Sequence, residues 1–403
     1  MANTNCEHFG RCGGCTYLDI SYADELRIKE TALRECMGEH ANLLAEILPS
    51  PNQHSYRNKM ELAFGDEGRI DGNEGRLALG MRKKRSFYEV ATPLNCVLIG
   101  DDFKQIISFI LDYFRESDEA FYHRKRHVGS LRHLVLRKGE FTGEILIMIS
   151  TTSTLQTPLA PMVEGLLALT SGKIVGIMHS IYDGVADAVK SDDVRILWGR
   201  DYYNEVICGL KFKVGMFSFF QTNAAGAEVL YGVVQKFCET DCPTGGSTAT
   251  DTGILPLAYD LYCGTGTIAQ VIAPYFEKVM GIELVEEAIS AAKDNAALNG
   301  ITNCVFYAGD VLFEIDKLEA NKTLSPVDVI VVDPPRDGLH AKALAKIAAF
   351  APKKIIYVAC KPASLARDMA LLAESGYYPV RMQGVDLFPR TPHVECVCEF
   401  VKA

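Results

Sequence analysis

The residues best placed for chemistry lie at the ends of apolar runs. Residues 353–360 read as a strand that ends Val358-Ala-Cys360-Lys361-Pro362. A helix start and a neighbouring cation both favour the thiolate, the nucleophilic form of cysteine. Cys263, Cys304, Cys396 and Cys398 read instead as small packing residues. Upstream, Asp260-Leu-Tyr-Cys-Gly264-Thr-Gly266-Thr267 closes one strand and opens a helix. Its glycines permit a tight turn and close approach of backbone to a ligand. Glu283 ends the next strand, where a carboxylate can accept from both ribose hydroxyls, and Asp310 ends a third, within reach of an adenine amine. Each acid alone could be a helix cap or a solvated loop residue, but three at consecutive strand ends argue for a nucleotide-type site. Gly264-Thr-Gly266-Thr-Ile-Ala269 also satisfies the dinucleotide pattern, so an NAD-dependent oxidoreductase stands as an alternative on these residues.

Two further groups extend the inventory. Val331-Val-Asp333-Pro334-Pro335-Arg336 ends a fourth strand, and its prolines stiffen the turn that aims Asp333 and the Pro335 carbonyl. Rigid polar edges of this kind suit an aromatic base. Cys6, Cys12 and Cys15 are spaced as metal ligands, with Cys36 or Cys96 as the candidate fourth. Four thiolates hold either zinc or an iron–sulfur cluster, and spacing does not separate them.

The elements that must position these residues follow a regular pattern. Strands are expected at 257–262, 278–284, 303–310, 327–333 and 353–360, most of them separated by helices, with 286–298 the clearest. Alternation of this kind implies a parallel sheet covered on both faces, with ligands at the carboxyl ends of its strands. Residues 378–387 and 393–401 lack an intervening helix and are expected to close the sheet edge as an antiparallel pair. In the second of these, Glu395 and Glu399 lie on one alternating face, where a solvated edge-strand role is the reading from pattern alone. Residues 23–40 read as a charged helix, 57–215 as a mixed α+β domain, and 241–253 as a flexible loop.

Composition sets bounds on function. The chain has 403 residues, 48% of them hydrophobic, enough for more than one core. No apolar run is long enough to span a membrane and no secretory leader is evident, so a cytoplasmic protein is expected. Thirteen cysteines in a reducing compartment then read as core residues, ligands or nucleophiles. A net charge of −10 counts against non-specific nucleic-acid binding. Two basic runs oppose it: Arg82-Lys-Lys-Arg85, and residues 121–139 with six Lys or Arg, three His and no carboxylate.

Taken together, these residues resemble the RNA uracil-5 methyltransferases, over nearly the whole chain. The match is closest to the iron–sulfur branch that modifies large-subunit (23S) ribosomal RNA. It is carried by Cys6-x5-Cys12-Gly-Gly-Cys15, Tyr56-Arg-Asn-Lys59, Phe217-Ser-Phe-Phe-Gln221-Thr-Asn223, the Asp-Leu-Tyr-Cys-Gly stretch, Asp333-Pro-Pro-Arg336 and the Cys360-x-Pro turn. The fold this resemblance implies is α/β: a Rossmann-like class I methyltransferase domain over 211–403, and before it, over 1–210, an α+β RNA-binding domain carrying the cysteine cluster. It implies S-adenosylmethionine and a [4Fe–4S] cluster as cofactors. It points to Cys360 as nucleophile and Glu395 as general base, to Gln221, Tyr262, Thr267, Glu283, Asp310 and Asp333 around the methyl donor, and to Cys96 as the fourth cluster ligand beside Cys6, Cys12 and Cys15. The expected partner is RNA, ribosomal by the presence of the cysteines, with transfer RNA as the alternative; a monomer is expected. Two departures stand out. The family usually shows Ser-Cys-Asn-Pro where this chain has Ala359-Cys360-Lys361-Pro362, and many relatives carry a small RNA-binding barrel before the cysteines, whereas Cys6 is here nearly the first residue. RNA affinity is then expected from the central domain.

Overall fold

Leu131–Lys138 and Ile145–Thr151 carry apolar side chains on both alternating faces, so neither can lie with one face in water. In the computed structural model, which describes residues 6–68, 75–169, 173–239, 254–320 and 327–403, both are interior strands of a seven-stranded mixed sheet. Its order is Val90–Ala91, Leu77–Arg82, Lys59–Asp66, Leu131–Lys138, Ile145–Thr151, Ile174–Ile181, Asp193–Gly199. Leu134, Leu136 and Ile147 pack on one face against helices Asp101–Arg115 and Ala160–Leu169. Val135, Leu146 and Met148 pack on the other against the hairpin of Tyr202–Ile207 and Leu210–Gly215. The expected loop at 241–253 lies outside the described residues.

The second sheet has eight strands, ordered Leu44–Leu48, Tyr377–Val385, Glu395–Lys402, Lys354–Ala359, Val329–Val332, Leu255–Leu261, Phe276–Glu283, Cys304–Ala308. The last five in this order run parallel to one another, as the strand–helix alternation implies. Alternate residues face opposite layers. Ala258, Val331, Ile356 and Val358 meet helices Ala224–Cys238 and Thr267–Ile272, whereas Tyr259, Val332, Ile355 and Tyr357 meet Ala341–Ala349 and Pro362–Glu374. Helix Glu286–Leu298 runs as its pattern indicates and ends at Asn299-Gly300, where Gly300 has φ +66°.

Two expectations from pattern are corrected here. The C-terminal pair does not close the edge. Glu395–Lys402 inserts antiparallel between Lys354–Ala359 and Tyr377–Val385, and the edge is taken by Leu44–Leu48, parallel to Tyr377–Val385. An interior strand is buried on both faces, which overturns the solvated reading of its acids: Glu399 is 0% exposed and ion-paired with Arg381 and Lys354. The charged helix spans Tyr22–Met37, followed by a 3-10 turn to Leu43. It packs against the second sheet, although both segments fall in the N-terminal part of the chain. No helix among the described residues is long and apolar enough to cross a membrane.

Candidate active site

The donor side of the crevice is built by the first three parallel strands in chain order. Asp260 is fully buried, and one of its oxygens accepts from the Ala269 N–H at 2.8 Å. Its other oxygen has no hydrogen-bond partner among the described residues, and burial pushes its carboxyl up to about 8. Tyr262, Gly264 and Gly266 all take positive φ, so the turn after the strand doubles back tightly. A Cβ on Gly266 would lie 2.7 Å from the Phe306 ring, so only glycine permits this helix start against its neighbouring strand. Thr267 begins the helix. Glu283 accepts from the backbone of Gly264 at 3.2 Å and of Val285 at 3.0 Å, which fixes its carboxylate at the rim. Asp310 is exposed and caps the following helix through the N–H groups of Leu312 and Phe313. Leu284 (68% exposed) and Phe313 (59%) follow these two acids and present apolar surface beside them. Pattern reasoning did not single these out, since exposed apolar residues at strand ends carry no periodic signal.

The reacting side is assembled by the sheet register. Ala359 and Cys396 are partners across the antiparallel ladder, so Cys360 and Glu395 emerge beside one another at the same end. Asp333 ends the adjoining strand and faces both Glu395 and Cys360. Burial raises the Glu395 carboxyl to about 8, with Asp333 adding to the shift and Arg336 opposing it. Burial likewise raises Asp333 to about 7. The Cys360 thiol is also raised, first by burial and then by Glu395 and Asp333. The thiolate-favouring environment expected from Lys361 is therefore corrected. Lys361 is exposed and makes no side-chain cap to the helix that begins at Pro362, and the cation that opposes the rise is Arg336. Gln221 joins the group through the Tyr231 hydroxyl, which hydrogen-bonds it and faces Asp333. Tyr231, buried on Ala224–Cys238, was not legible in advance because its helical stripe looks like ordinary core.

The loop leading into Glu395 is held from several sides. Asn223 donates to the Leu387 carbonyl at 2.9 Å while capping its own helix, Tyr56 donates to the Pro389 carbonyl at 2.9 Å, and Asn58 donates through its backbone to Thr222. Segments 56–59 and 221–223, far apart in sequence, thus meet at this loop. Beneath it Lys29, 2% exposed, lies 2.7 Å from both Glu25 and Asp386 and donates to the Phe388 carbonyl at 3.2 Å. Cys6, Cys12, Cys15 and Cys96 line one pocket, whereas Cys36 lies beside Cys396 in the other core. Cys15 is raised to about 12 by burial and by its three cysteine neighbours. Among the described residues no group of three or more Cys, His, Asp or Glu is set in metal-holding geometry, so the thiols share a pocket without being drawn onto one centre. The pocket's donor chemistry, four thiols and apolar walls that include Met60 and Leu98, fits a thiolate-bound metal.

Comparison with known proteins identifies relatives of this chain. A family model described as tRNA (Uracil-5-)-methyltransferase matches residues 191–402. An uncharacterized RNA methyltransferase of Caldanaerobacter subterraneus subsp. tengcongensis is 43% identical over 396 residues, covering 97% of this chain and 83% of that one. A protein of the same description from Clostridium tetani is 42% identical over 397 residues, covering 97% and 82%. Among solved structures, the Pyrococcus abyssi tRNA (uracil-54, C5)-methyltransferase in complex with S-adenosyl-L-homocysteine superposes with a TM-score of 0.75 at 25% identity, covering 97% of this chain and 86% of that one.

Proposed function

Because this chain belongs to the RNA uracil-5 methyltransferase family, we propose that it methylates carbon 5 of one uridine in RNA, with Cys360 as nucleophile and Glu395 as base. It is an S-adenosylmethionine-dependent enzyme. The observation that carries the residue assignment is the ladder register that sets Cys360 and Glu395 side by side, with Asp333 adjoining.

The chemistry follows from the substrate. Uracil C5 is a weak nucleophile. Cys360 gives up its thiol proton to solvent, and addition of the resulting thiolate to C6 forms a C–S bond and moves the ring electrons toward C5 and O4. When bound, S-adenosylmethionine would supply the methyl group to C5, its methyl–sulfur bond breaking as S-adenosylhomocysteine leaves. Glu395, in its carboxylate form, then takes the C5 proton, the C5–C6 double bond re-forms, and the Cys360 sulfur leaves with its electron pair. A base distinct from the thiol is required, since the sulfur is bonded when the proton departs. Gln221, Tyr262, Thr267, Glu283, Asp310 and Asp333 hold the methyl donor. The target base must leave its stack to enter a crevice of this kind.

RNA recognition is assigned to residues 1–210 and methyl transfer to 211–403, with Leu44–Leu48 lending an edge strand to the latter. The protein acts in the cytoplasm as a monomer. The RNA assigned is 23S ribosomal RNA, which the cysteine quartet supports; the match to a transfer-RNA enzyme of the same overall structure favours the second reading. Nucleoside mapping of ribosomal and transfer RNA from a deletion strain separates them. Loss of one 5-methyluridine from large-subunit RNA is expected. Loss confined to transfer RNA moves the target, and an unchanged profile in both removes the function.

The four thiols are assigned to a [4Fe–4S] cluster, supported by their common pocket. No step of the methyl transfer uses it. Protein purified without oxygen is expected to be brown and to contain iron and sulfide. Stoichiometric zinc without iron would replace the cluster by a structural zinc site.

A further inference from the structure

The two basic runs do not form a uniformly solvated face. They meet where Tyr88 stacks on His123, with ring centroids 4.3 Å apart. Much of their charge is used internally. Arg82, Arg124 and His133 all turn onto Asp187. Arg132 donates to the carbonyls of Tyr182, Gly184 and Ala186, and Arg137 to those of Gly215, Met216 and Ser218. Lys138 pairs with Asp102. What stays exposed, with no carboxylate partner among the described residues, is Lys84, Arg85, Lys125 and Arg126.

Lys84 and Arg85 face a second element. Together with Lys83, Ser86 and Glu89 they line a pocket whose opposite wall is Gly10 and Arg11, the loop between Cys6 and Cys12. The walls are fastened together. The Lys84 N–H donates to the Arg11 carbonyl at 2.8 Å, and Cys12 bridges to Lys83. Arg11 is exposed and spends one nitrogen on the Glu7 carbonyl at 2.9 Å, leaving the rest of its fork without a partner among the described residues. Lys83 is paired with Glu89, so the local excess of charge comes from Arg11, Lys84 and Arg85. None of the described residues lies within 4 Å of a Cβ built on Gly10, so they leave the mouth open on that side. Phe87, on the same hairpin, is 65% exposed.

We propose that this pocket between the cysteine loop and the 83–89 hairpin is a phosphodiester-binding subsite, in which Arg11, Lys84 and Arg85 grip the RNA backbone and Phe87 receives a neighbouring base. The inference rests on the RNA-methylating function above and names where that RNA is held. Guanidinium forks match the paired oxygens of a phosphodiester, and an exposed aromatic ring is a stacking platform. With a net charge of −10, the chain must concentrate its attraction for RNA in a few places. The pocket is also tied to the catalytic end. The N–H groups of Thr16 and Tyr17 both donate to the Arg390 carbonyl, on the loop that enters Glu395. Thr16 lies five positions after Arg11, a span of at most roughly 18 Å. A strand gripped here therefore runs within a few nucleotides of the crevice. The cysteine loop gains a task from this placement, because whatever orders Cys6 to Cys15 also orders Arg11.

The test compares the full-length triple variant Arg11→Ala, Lys84→Ala, Arg85→Ala with the wild type and with a control, Lys278→Ala, Lys293→Ala, Lys342→Ala. The control removes the same charge from exposed sites on the second domain. Affinity for a labelled single-stranded RNA is measured between about 50 and 200 mM salt. The pocket variant is expected to bind more than 10-fold more weakly, with a log–log salt slope shallower by about 2, from roughly 0.7 per lost phosphate contact. The control should match the wild type, and all three proteins should bind S-adenosylmethionine equally, which shows that folding is intact. Equal slopes for pocket variant and control overturn the subsite while leaving the methyltransferase reading in place. A wild type that neither binds nor methylates RNA overturns both. Thermal stabilisation by inorganic phosphate that disappears in the pocket variant, with RNA binding unaltered, would mark a free-anion site and also overturn the proposal.

Discussion

Cys360→Ala is expected to abolish methyl transfer, by at least about 10⁴-fold, because it removes the thiol proposed to add to C6. The same substitution should remove the covalent complex with RNA containing 5-fluorouridine, whose C5 carries no removable proton, while the wild type is trapped on it. Trapping of both proteins alike would exclude this cysteine. Glu395→Gln separates the later step. It should still add its thiol and accept the methyl group, then stall, so a methylated covalent complex accumulates on ordinary uridine RNA and turnover falls by about 10² to 10⁴. Turnover near the wild-type rate would transfer the role to Asp333 or to water. The same variant carries a signature in stability. Glu395 titrates near 8 in the folded chain, against about 4.3 for a free glutamate. The folded state therefore binds the proton more tightly, and this group's contribution is favourable at low pH and lost as pH rises from about 4.3 to about 8. Thermal melts across that window should fall less steeply for Glu395→Gln than for the wild type.

Lys29→Met is expected to be among the most destabilising single changes in the chain. It leaves Glu25 and Asp386, both 0% exposed, facing each other without their shared cation. Breaking a buried ion group by removing one partner costs about 3–5 kcal/mol, far above the value of an exposed pair. The consequences reach the active site. Asp386 also accepts from the Tyr22 hydroxyl at 2.8 Å, and Glu25 accepts from the Arg390 N–H at 2.6 Å, so the network clamps both ends of the loop that precedes Glu395. Arg390 itself sits at φ +70°, a conformation that needs outside support. In the variant kcat should fall while the affinity for S-adenosylmethionine stays close to that of the wild type. Adding Asp386→Asn removes one orphaned charge and should restore part of the melting temperature. A single variant as stable as the wild type, or a double variant no better than the single one, would show that the buried lysine is not what holds the loop.

The sequence by itself determined a good deal, and for a common reason. The five parallel strands, the helix Glu286–Leu298, the glycine turn at Gly264 and Gly266, and acids at successive strand ends are all local patterns, readable from period and punctuation. The spacing of Cys6, Cys12 and Cys15 is local too. Gln221 and Glu395 were reached only through resemblance, since one lies outside the sheet pattern and the other alternates like any strand residue. Tertiary structure decided the rest. Period-2 alternation tells which way a side chain points but not what stands beside it. Only the sheet order makes Glu395–Lys402 an interior strand, brings Glu395 to Cys360, and buries Glu399 against Arg381 and Lys354. Only folding selects Cys96 over Cys36 as the cysteine that shares the pocket of Cys6, Cys12 and Cys15. Charge follows the same rule. A lysine in a helix and an arginine in a basic run look solvated in sequence, yet Lys29 is buried on two carboxylates and Arg124 turns onto Asp187. The Cys360 thiol is shifted upward because burial and two neighbouring carboxylates outweigh the helix start and cation that the local sequence offers. Burial and long-range partners are properties of the assembled fold, and they set the ionisation of Cys360, Glu395 and Asp333.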